Sequence, residues 1–155
     1  MANLIFDKVQ IEATIDKIVD RTMRMDMTWD WPCGVAYYGI CEAYEVTKNE
    51  RYLQLVKDRV DEYIELGLPR WTVNTCSMGH CLITLYQHTG DEKYLNFSKS
   101  FIDSFVQEDG SIKTYDPKEY NLDNVNQGKN LFTLYDIFGD EKYRKAIETI
   151  RSQLA

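Results

Sequence analysis

Apolar and polar positions follow the period of an α-helix along this chain, in seven segments separated by polar turns. The first segment, at about 10–25, places its apolar and small residues on one stripe of a helix. Three pairs of segments follow at about 33–66, 76–107 and 124–154, and each pair joins a low-charge helix to an amphipathic one. The pattern predicts one all-α domain over 1–155, built from hairpin repeats and without a sheet.

The three pairs are copies of one module, which is clearest at the turn between its two helices. The turn reads AYEVTKNERYLQL, LYQHTGDEKYLNF and LYDIFGDEKYRKA, and each copy has two tyrosines eight residues apart. The second tyrosines, Tyr52, Tyr94 and Tyr143, follow one another at 42 and then 49 residues. Such a period is typical of stacked helical hairpins, and these three tyrosines are expected at equivalent places.

The turns also carry the signals that end one helix and begin the next. Gly90 and Gly139 suit a left-handed position at a helix C-terminus. Asp91 and Asp140 follow them as N-caps of the next helix, and Asn49 is expected to do the same in the first copy.

The distribution of charge separates inner from outer helices. The segments at about 33–47 and 76–88 have almost no charge and are expected to be buried on most sides. The segment at about 125–138 is also predicted to be an inner helix, whereas the charged segments are predicted to form the outer surface. In a curved layer of this kind, the loops before the inner helices converge on a central pocket.

Composition narrows the classes of function. The 155 residues have a net charge of −7 and no acidic tail, which argues against nucleic acid as a partner. The N-terminus lacks the basic and apolar regions of a signal peptide, and no apolar run is long enough for a membrane span. The chain is therefore expected to be cytoplasmic, with its four cysteines reduced.

The loops before the inner helices hold the candidate binding residues. Trp29, Trp31 and Trp71 are all the tryptophans of the chain, and aromatic planes stack on the C–H faces of sugars. Asn74 and Asp123 each lie twelve residues before the first tyrosine of their copy, at the start of an inner helix. One interpretation makes Asp123 a pocket carboxylate with Asn74 beside it. The alternative is that both residues cap helices and that the indoles fill the top of the core.

A metal site has one weak signal. Cys76 and His80 are four residues apart on a predicted helix, a spacing at which two side chains share a face. The chain has no CxxC pair and no glycine-rich phosphate loop, so buried thiols are favoured over zinc and no cofactor is expected.

Three stretches resemble the N-terminal part of a glycosidase family. They contain WDWPCGVAYYGICEAYE, RWTVNTCSMGHCLITLYQHTGDEKYL and, as the most specific piece, NLDNVNQGK. They are similar to the unsaturated rhamnogalacturonyl hydrolases of glycoside hydrolase family 105 and to the related family 88. The resemblance implies an (α/α)6 barrel that hydrates the C4–C5 double bond of a terminal unsaturated uronic acid. The expected ligand is therefore a small acidic oligosaccharide.

The resemblance also implies roles for three residues. Asp123 matches the first of two active-site aspartates, Trp31 matches an aromatic position beside the substrate, and Asn74 matches an amide that replaces the aspartate in one branch. The motif that carries the second aspartate, the expected general acid, is not found in the sequence.

The number of hairpins leaves the function open between two classes. Three hairpins are half of the six in the family's barrel, so two chains are expected to complete a toroid as a homodimer. Residues 28–97 resemble one branch of the family and 108–154 resemble another. A truncated enzyme, a fragment and an engineered recombinant all fit that pattern. The alternative to a hydrolase is a catalytically silent helical scaffold or interaction module.

Overall fold

The computed structural model describes residues 7–25, 27–67, 74–119, 121 and 128–152. Within these ranges the chain forms α1 (Lys8–Met23), α2 (Trp31–Thr47), α3 (Glu50–Glu65), α4 (Gly79–Thr89), α5 (Glu92–Asp103), α6 (Gly128–Phe138) and α7 (Glu141–Ser152). A 3-10 turn over Asn74–Met78 leads into α4. The only extended pairing in the described ranges is an antiparallel bridge between Val106 and Ile112. The all-α prediction is confirmed.

Helices α1 and α2 begin about two residues earlier than predicted, at Lys8 and Trp31, and two larger differences lie in the second hairpin. The second inner helix was expected from about 76, but Asn74–Met78 forms the tighter 3-10 turn and α4 begins at Gly79. The second outer helix was expected to reach 106, but α5 ends at Asp103. The chain leaves the helix there because Phe105 and Val106 are buried and Val106 pairs with Ile112.

The hairpin turns use the predicted caps. The side chains of Asn49, Asp91 and Asp140 each accept a hydrogen bond from the backbone amide two residues later, at 3.0–3.1 Å. Gly90 and Gly139 adopt left-handed backbone angles. In the first copy the same position is occupied by Lys48, with φ of 55°.

The left-handed angle at Lys48 predicts a stabilising substitution. A side chain at this angle places Cβ close to the carbonyl oxygen, which glycine avoids. Lys48→Gly is therefore expected to raise the free energy of unfolding by about 1 kcal/mol relative to Lys48→Ala. The alanine variant is the matched control, because both changes remove the 2.6 Å ion pair with Glu45. Urea denaturation measures the difference, and equal stability of the two variants would contradict the strain argument.

The three repeated tyrosines connect neighbouring outer helices. All three are buried, and the hydroxyl of each donates a hydrogen bond to a carboxylate of the preceding outer helix. The pairs are Tyr52–Asp16 at 2.8 Å, Tyr94–Asp61 at 2.8 Å and Tyr143–Asp103 at 2.5 Å. The cation before each tyrosine binds the same carboxylate, in the pairs Arg51–Asp16, Lys93–Asp61 and Lys142–Asp103 at 3.0–3.1 Å. We call these contacts the tyrosine–aspartate ladder, in which α1 takes the place of an outer helix.

The inner helices differ in how much of their surface is covered. Helix α4 packs between α2, α3 and α5 and is buried on most sides, as predicted. Its exposed residues lie in its last turn. Helix α2 packs on α1, α3 and α4, but one of its faces is open. Trp31, Val35, Tyr38 and Val46 lie on that face and are 45–81% exposed. The prediction that α2 is buried on most sides is therefore wrong, because no described element covers this face.

The helices of the described ranges are short or carry charged side chains. None of them combines the length and the apolarity needed to cross a bilayer.

Candidate functional site

Trp31 lies at the start of α2, where the backbone geometry is fixed by a cap. The Asp30 carboxylate accepts a hydrogen bond from the Trp31 amide at 2.7 Å, and Pro32 occupies the first turn of the helix. Proline is favoured there because its missing N–H is one that a helix start leaves unpaired. The side chain of Trp31 is 53% exposed. About half of the surface of this indole is therefore accessible at the capped start of the helix.

Trp29 lies in the core instead of at the surface. Its side chain is 2% exposed, and its indole N–H donates to the Thr75 carbonyl at 3.1 Å. The ring also meets Tyr63 and Phe97 edge to face, with centroids 5.7 and 5.8 Å away. No face of this indole is open to a sugar, so the expectation that Trp29 contacts a ligand is corrected here. The ring fills the core, which was the alternative interpretation.

Asn74 begins the 3-10 turn and is exposed, while the next two residues are buried. Two side chains from distant parts of the chain hold this turn through its carbonyl groups. The Thr75 carbonyl accepts from Trp29, and the Cys76 carbonyl accepts from the Asn130 amide at 3.0 Å. Trp29 and Asn130 therefore hold the turn that begins at Asn74.

Two of the predicted site residues lie outside the described residues. These are Asp123, the predicted catalytic carboxylate, and Trp71, a predicted sugar-stacking side chain. The described part of the candidate site accordingly consists of Trp31, Asn74 and the groups near each of them.

The open face of α2 carries further polar and aromatic groups that the sequence analysis did not single out. Tyr38 is 45% exposed, and its ring lies 5.2 Å from the ring of His80 on α4. The charge of Glu42, together with a hydrogen bond, raises the pKa of the Tyr38 phenol. The spacing could have revealed this face, because residues 31, 35, 38 and 42 recur with the helical period.

The Cys76–His80 pair does not form a metal site in this structure. Cys76 is 1% exposed in the core, whereas the ring of His80 lies against Tyr38. Burial raises the pKa of the Cys76 thiol to about 12, so the thiol stays protonated at neutral pH. Across the parts of the chain that the structure describes, no three His, Cys, Asp or Glu side chains come together as metal ligands.

The helical hairpins and the loops before their inner helices define the class of an α/α hairpin-repeat protein. Within this class, the sequence profile of Glycosyl Hydrolase Family 88 matches residues 5–98 and again residues 81–155. The two matches together cover almost the whole chain, which belongs to Glycosyl Hydrolase Family 88.

Two known proteins are similar to part of this chain. The unsaturated rhamnogalacturonyl hydrolase YesR of Bacillus subtilis (strain 168) is 54% identical over 95 residues, which are 61% of this chain and 28% of YesR. A solved glycoside hydrolase of family 105 from C. acetobutylicum ATCC 824 superposes with a TM-score of 0.60 at 36% identity. That match covers 64% of this chain and 28% of the solved chain. The aligned region is thus little more than a quarter of either relative.

Proposed function

We propose that this chain is a glycosidase, or the recognisable part of one, that acts on unsaturated rhamnogalacturonyl oligosaccharides. The observation that carries the proposal is the 54% identity to an unsaturated rhamnogalacturonyl hydrolase over 95 residues. The proposed reaction adds a proton to C4 and the hydroxyl of water to C5 of the unsaturated uronic acid. The resulting hemiketal opens and releases the sugar that was linked to it. Only protons and water are exchanged, so the proposal needs no metal and no redox cofactor.

The proposed roles follow the family resemblance and the exposure of the side chains. Asp123 supplies the carboxylate that acts on the reacting sugar. Trp31, which is 53% exposed at the start of α2, stacks on a sugar ring, and Trp71 is proposed to do the same. Asn74 is exposed at the start of a helical segment, where its amide side chain suits sugar hydroxyls.

Turnover of an unsaturated rhamnogalacturonyl disaccharide tests the proposal directly. The conjugated double bond of the substrate absorbs ultraviolet light and the hydrated product does not, so loss of absorbance measures the reaction. The purified chain is expected to consume the double bond at a pH between about 4 and 8, where carboxylate acids and bases operate. No loss of absorbance over that range would favour the alternative, a catalytically silent repeat scaffold.

We also propose that two chains assemble around the pocket. Apolar side chains remain exposed at both ends of the hairpin series, with Val9 at 68% and Ile18 at 60% on α1 and Phe132 at 52% on α6. Open ends of a repeat array expose apolar surface unless they are capped or paired. The tyrosine–aspartate ladder does not continue past α7, because Ser152 stands where α3 and α5 carry an aspartate. The proposed contacts between the two chains are therefore apolar.

Light scattering measures this assembly. The chain is expected to have twice the mass of one copy at high micromolar concentration, and Phe132→Glu is expected to shift it towards the monomer because a charge is costly in an apolar interface. Gln87→Glu adds the same charge at an exposed position of α4 and serves as the control. A wild-type chain that stays monomeric would contradict the proposed dimer.

A further inference from the structure

A small internal cavity lies where the second and third repeats meet, next to the 3-10 turn that begins with Asn74. Its volume is about 10 Å³. Apolar side chains form most of its wall, and the polar residues Thr75 of the 3-10 turn, Ser98 of α5 and Asn130 of α6 complete it. Ser98 and Asn130 belong to helices that pack against α4 or its leading turn.

Ser98 and Asn130 each have an unpaired polar atom. Ser98 is 1% exposed and Asn130 is 2% exposed. Among the residues that the structure describes, neither Ser98 Oγ nor Asn130 Oδ1 has a hydrogen-bond partner. A buried polar atom without a partner destabilises the folded state, and most such atoms in proteins are satisfied by protein groups or by bound water. Two unpaired atoms on one small cavity indicate a shared ligand.

The hydrogen bond of Asn130 Nδ2 determines the orientation of the Asn130 amide. Its Nδ2 donates to the Cys76 carbonyl at 3.0 Å, and the reverse orientation would place two oxygens against each other. Gly79 lets the amide approach this closely, since a Cβ there would lie 2.0 Å from Nδ2. The acceptor Oδ1 is therefore the atom of this cavity-lining amide that remains unpaired.

We propose that this cavity is a binding site for one resident water molecule. The water donates one hydrogen bond to Asn130 Oδ1 and forms a second with the Ser98 hydroxyl. The cavity volume of about 10 Å³ is the room that one water needs. Both polar groups are neutral and the remaining wall is largely apolar, so an ion would lose its hydration without gaining a counter-charge.

The bound water also acts on the candidate site. It connects α5 to Asn130 of α6, and Asn130 in turn holds the carbonyl of Cys76, two residues after Asn74. The water thereby stabilises the amide orientation that anchors the 3-10 turn. Asn130 is a positioning residue for this turn, and the inference does not depend on the proposed glycosidase activity.

Replacing Ser98 distinguishes a hydrated cavity from a dry one, because the unfolding equilibrium constant changes in opposite directions in the two cases. If water is bound, Ser98→Ala removes one of its partners and raises the unfolding equilibrium constant by about fivefold. If the cavity is dry, the same change removes an unsatisfied hydroxyl and lowers that constant. Ser100→Ala on the exposed side of α5 is the control, because it corrects for the higher helix propensity of alanine. A stabilised Ser98→Ala relative to this control overturns the proposal.

A crystal structure of the unmodified chain tests the water without relying on a variant. Solvent density is expected in the cavity, about 2.7–3.2 Å from both Ser98 Oγ and Asn130 Oδ1. Magnetic relaxation dispersion of the water oxygen counts the long-lived bound waters of a protein. It is expected to find one more such water in the unmodified chain than in Ser98→Val, because the valine methyl groups occupy the cavity. An empty cavity in the crystal structure, or equal counts in the two proteins, overturns the proposal.

Discussion

Asp123→Asn is expected to abolish hydrolysis of an unsaturated rhamnogalacturonyl disaccharide while leaving the chain folded. Asparagine has the size and shape of aspartate but neither donates nor takes up a proton at neutral pH. Loss of a general acid or base lowers rates by about 10²–10⁴-fold, which would bring turnover to the detection limit. The ultraviolet absorbance of the substrate follows the reaction, and circular dichroism follows the helices.

The control for this experiment lies in the same connection between α5 and α6. Asp116 is exposed, and its carboxylate accepts a hydrogen bond from the Lys118 amide at 2.9 Å. Asp116→Asn makes the same change in charge and is expected to keep full activity. An Asp123→Asn chain with unchanged turnover would remove Asp123 from the catalytic role. An Asp123→Asn chain that loses its helical signal would show that the residue mainly caps a helix.

The turns of this fold were predictable from sequence because their signals are local. Asn49, Asp91 and Asp140 cap helices with their own side chains, and Gly90 and Gly139 relieve a steric conflict within one residue. The equivalence of the three tyrosines was also predictable, since it follows from their spacing. Lys48 was not, because nothing in a lysine indicates a left-handed angle.

The partners of the tyrosines could not be predicted in the same way. Asp16, Asp61 and Asp103 lie 33–40 residues before the tyrosines they bind. Which carboxylate of an outer helix faces the next one depends on how the hairpins stack, and the charge pattern of a single helix does not contain that information. Only the packed structure shows which carboxylates are shared by a tyrosine and a cation.

The packing of the candidate side chains could not be predicted from their positions along the chain. Trp29 and Trp31 are two residues apart, yet one lies in the core and the other is half exposed. The difference arises because the Trp29 indole finds a carbonyl partner 46 residues away, at Thr75. Sequence spacing could place both indoles near an inner helix, but it could not decide which one packs inward.

The tyrosine–aspartate ladder leads to the second large prediction, which concerns stability. Asp103 accepts hydrogen bonds from the Tyr143 hydroxyl at 2.5 Å and from Lys99 at 2.6 Å, and it also pairs with Lys142 at 3.0 Å. Tyr143 is fully buried. Asp103→Ala leaves this buried hydroxyl without an acceptor, which costs about 2 kcal/mol of unfolding free energy. For a chain of this size the melting temperature should fall by about 4–8 °C.

The dependence on pH separates this effect from simple loss of packing. Burial alone would raise the pKa of Asp103, but the hydrogen bonds from Lys99, Tyr143 and Lys142 hold it below its usual value. A carboxyl group whose pKa is lower in the folded state stabilises the fold above its unfolded pKa of about 3.9, and this contribution is lost as pH falls through the folded pKa. The difference in unfolding free energy between wild type and Asp103→Ala should therefore be largest at neutral pH and decrease below about pH 4.

Asp136→Ala provides the control for the ladder, because it removes an exposed carboxylate of α6 and changes the net charge equally. Its free energy of unfolding should stay within about 0.5 kcal/mol of the wild type. Urea denaturation at neutral and acidic pH measures both variants. If Asp103→Ala and Asp136→Ala lost the same stability, or if the Asp103 effect were independent of pH, the ladder would not stabilise the stacking of the outer helices. A larger, acid-sensitive loss at Asp103 alone would mean that a buried tyrosine and a shared carboxylate join successive hairpins.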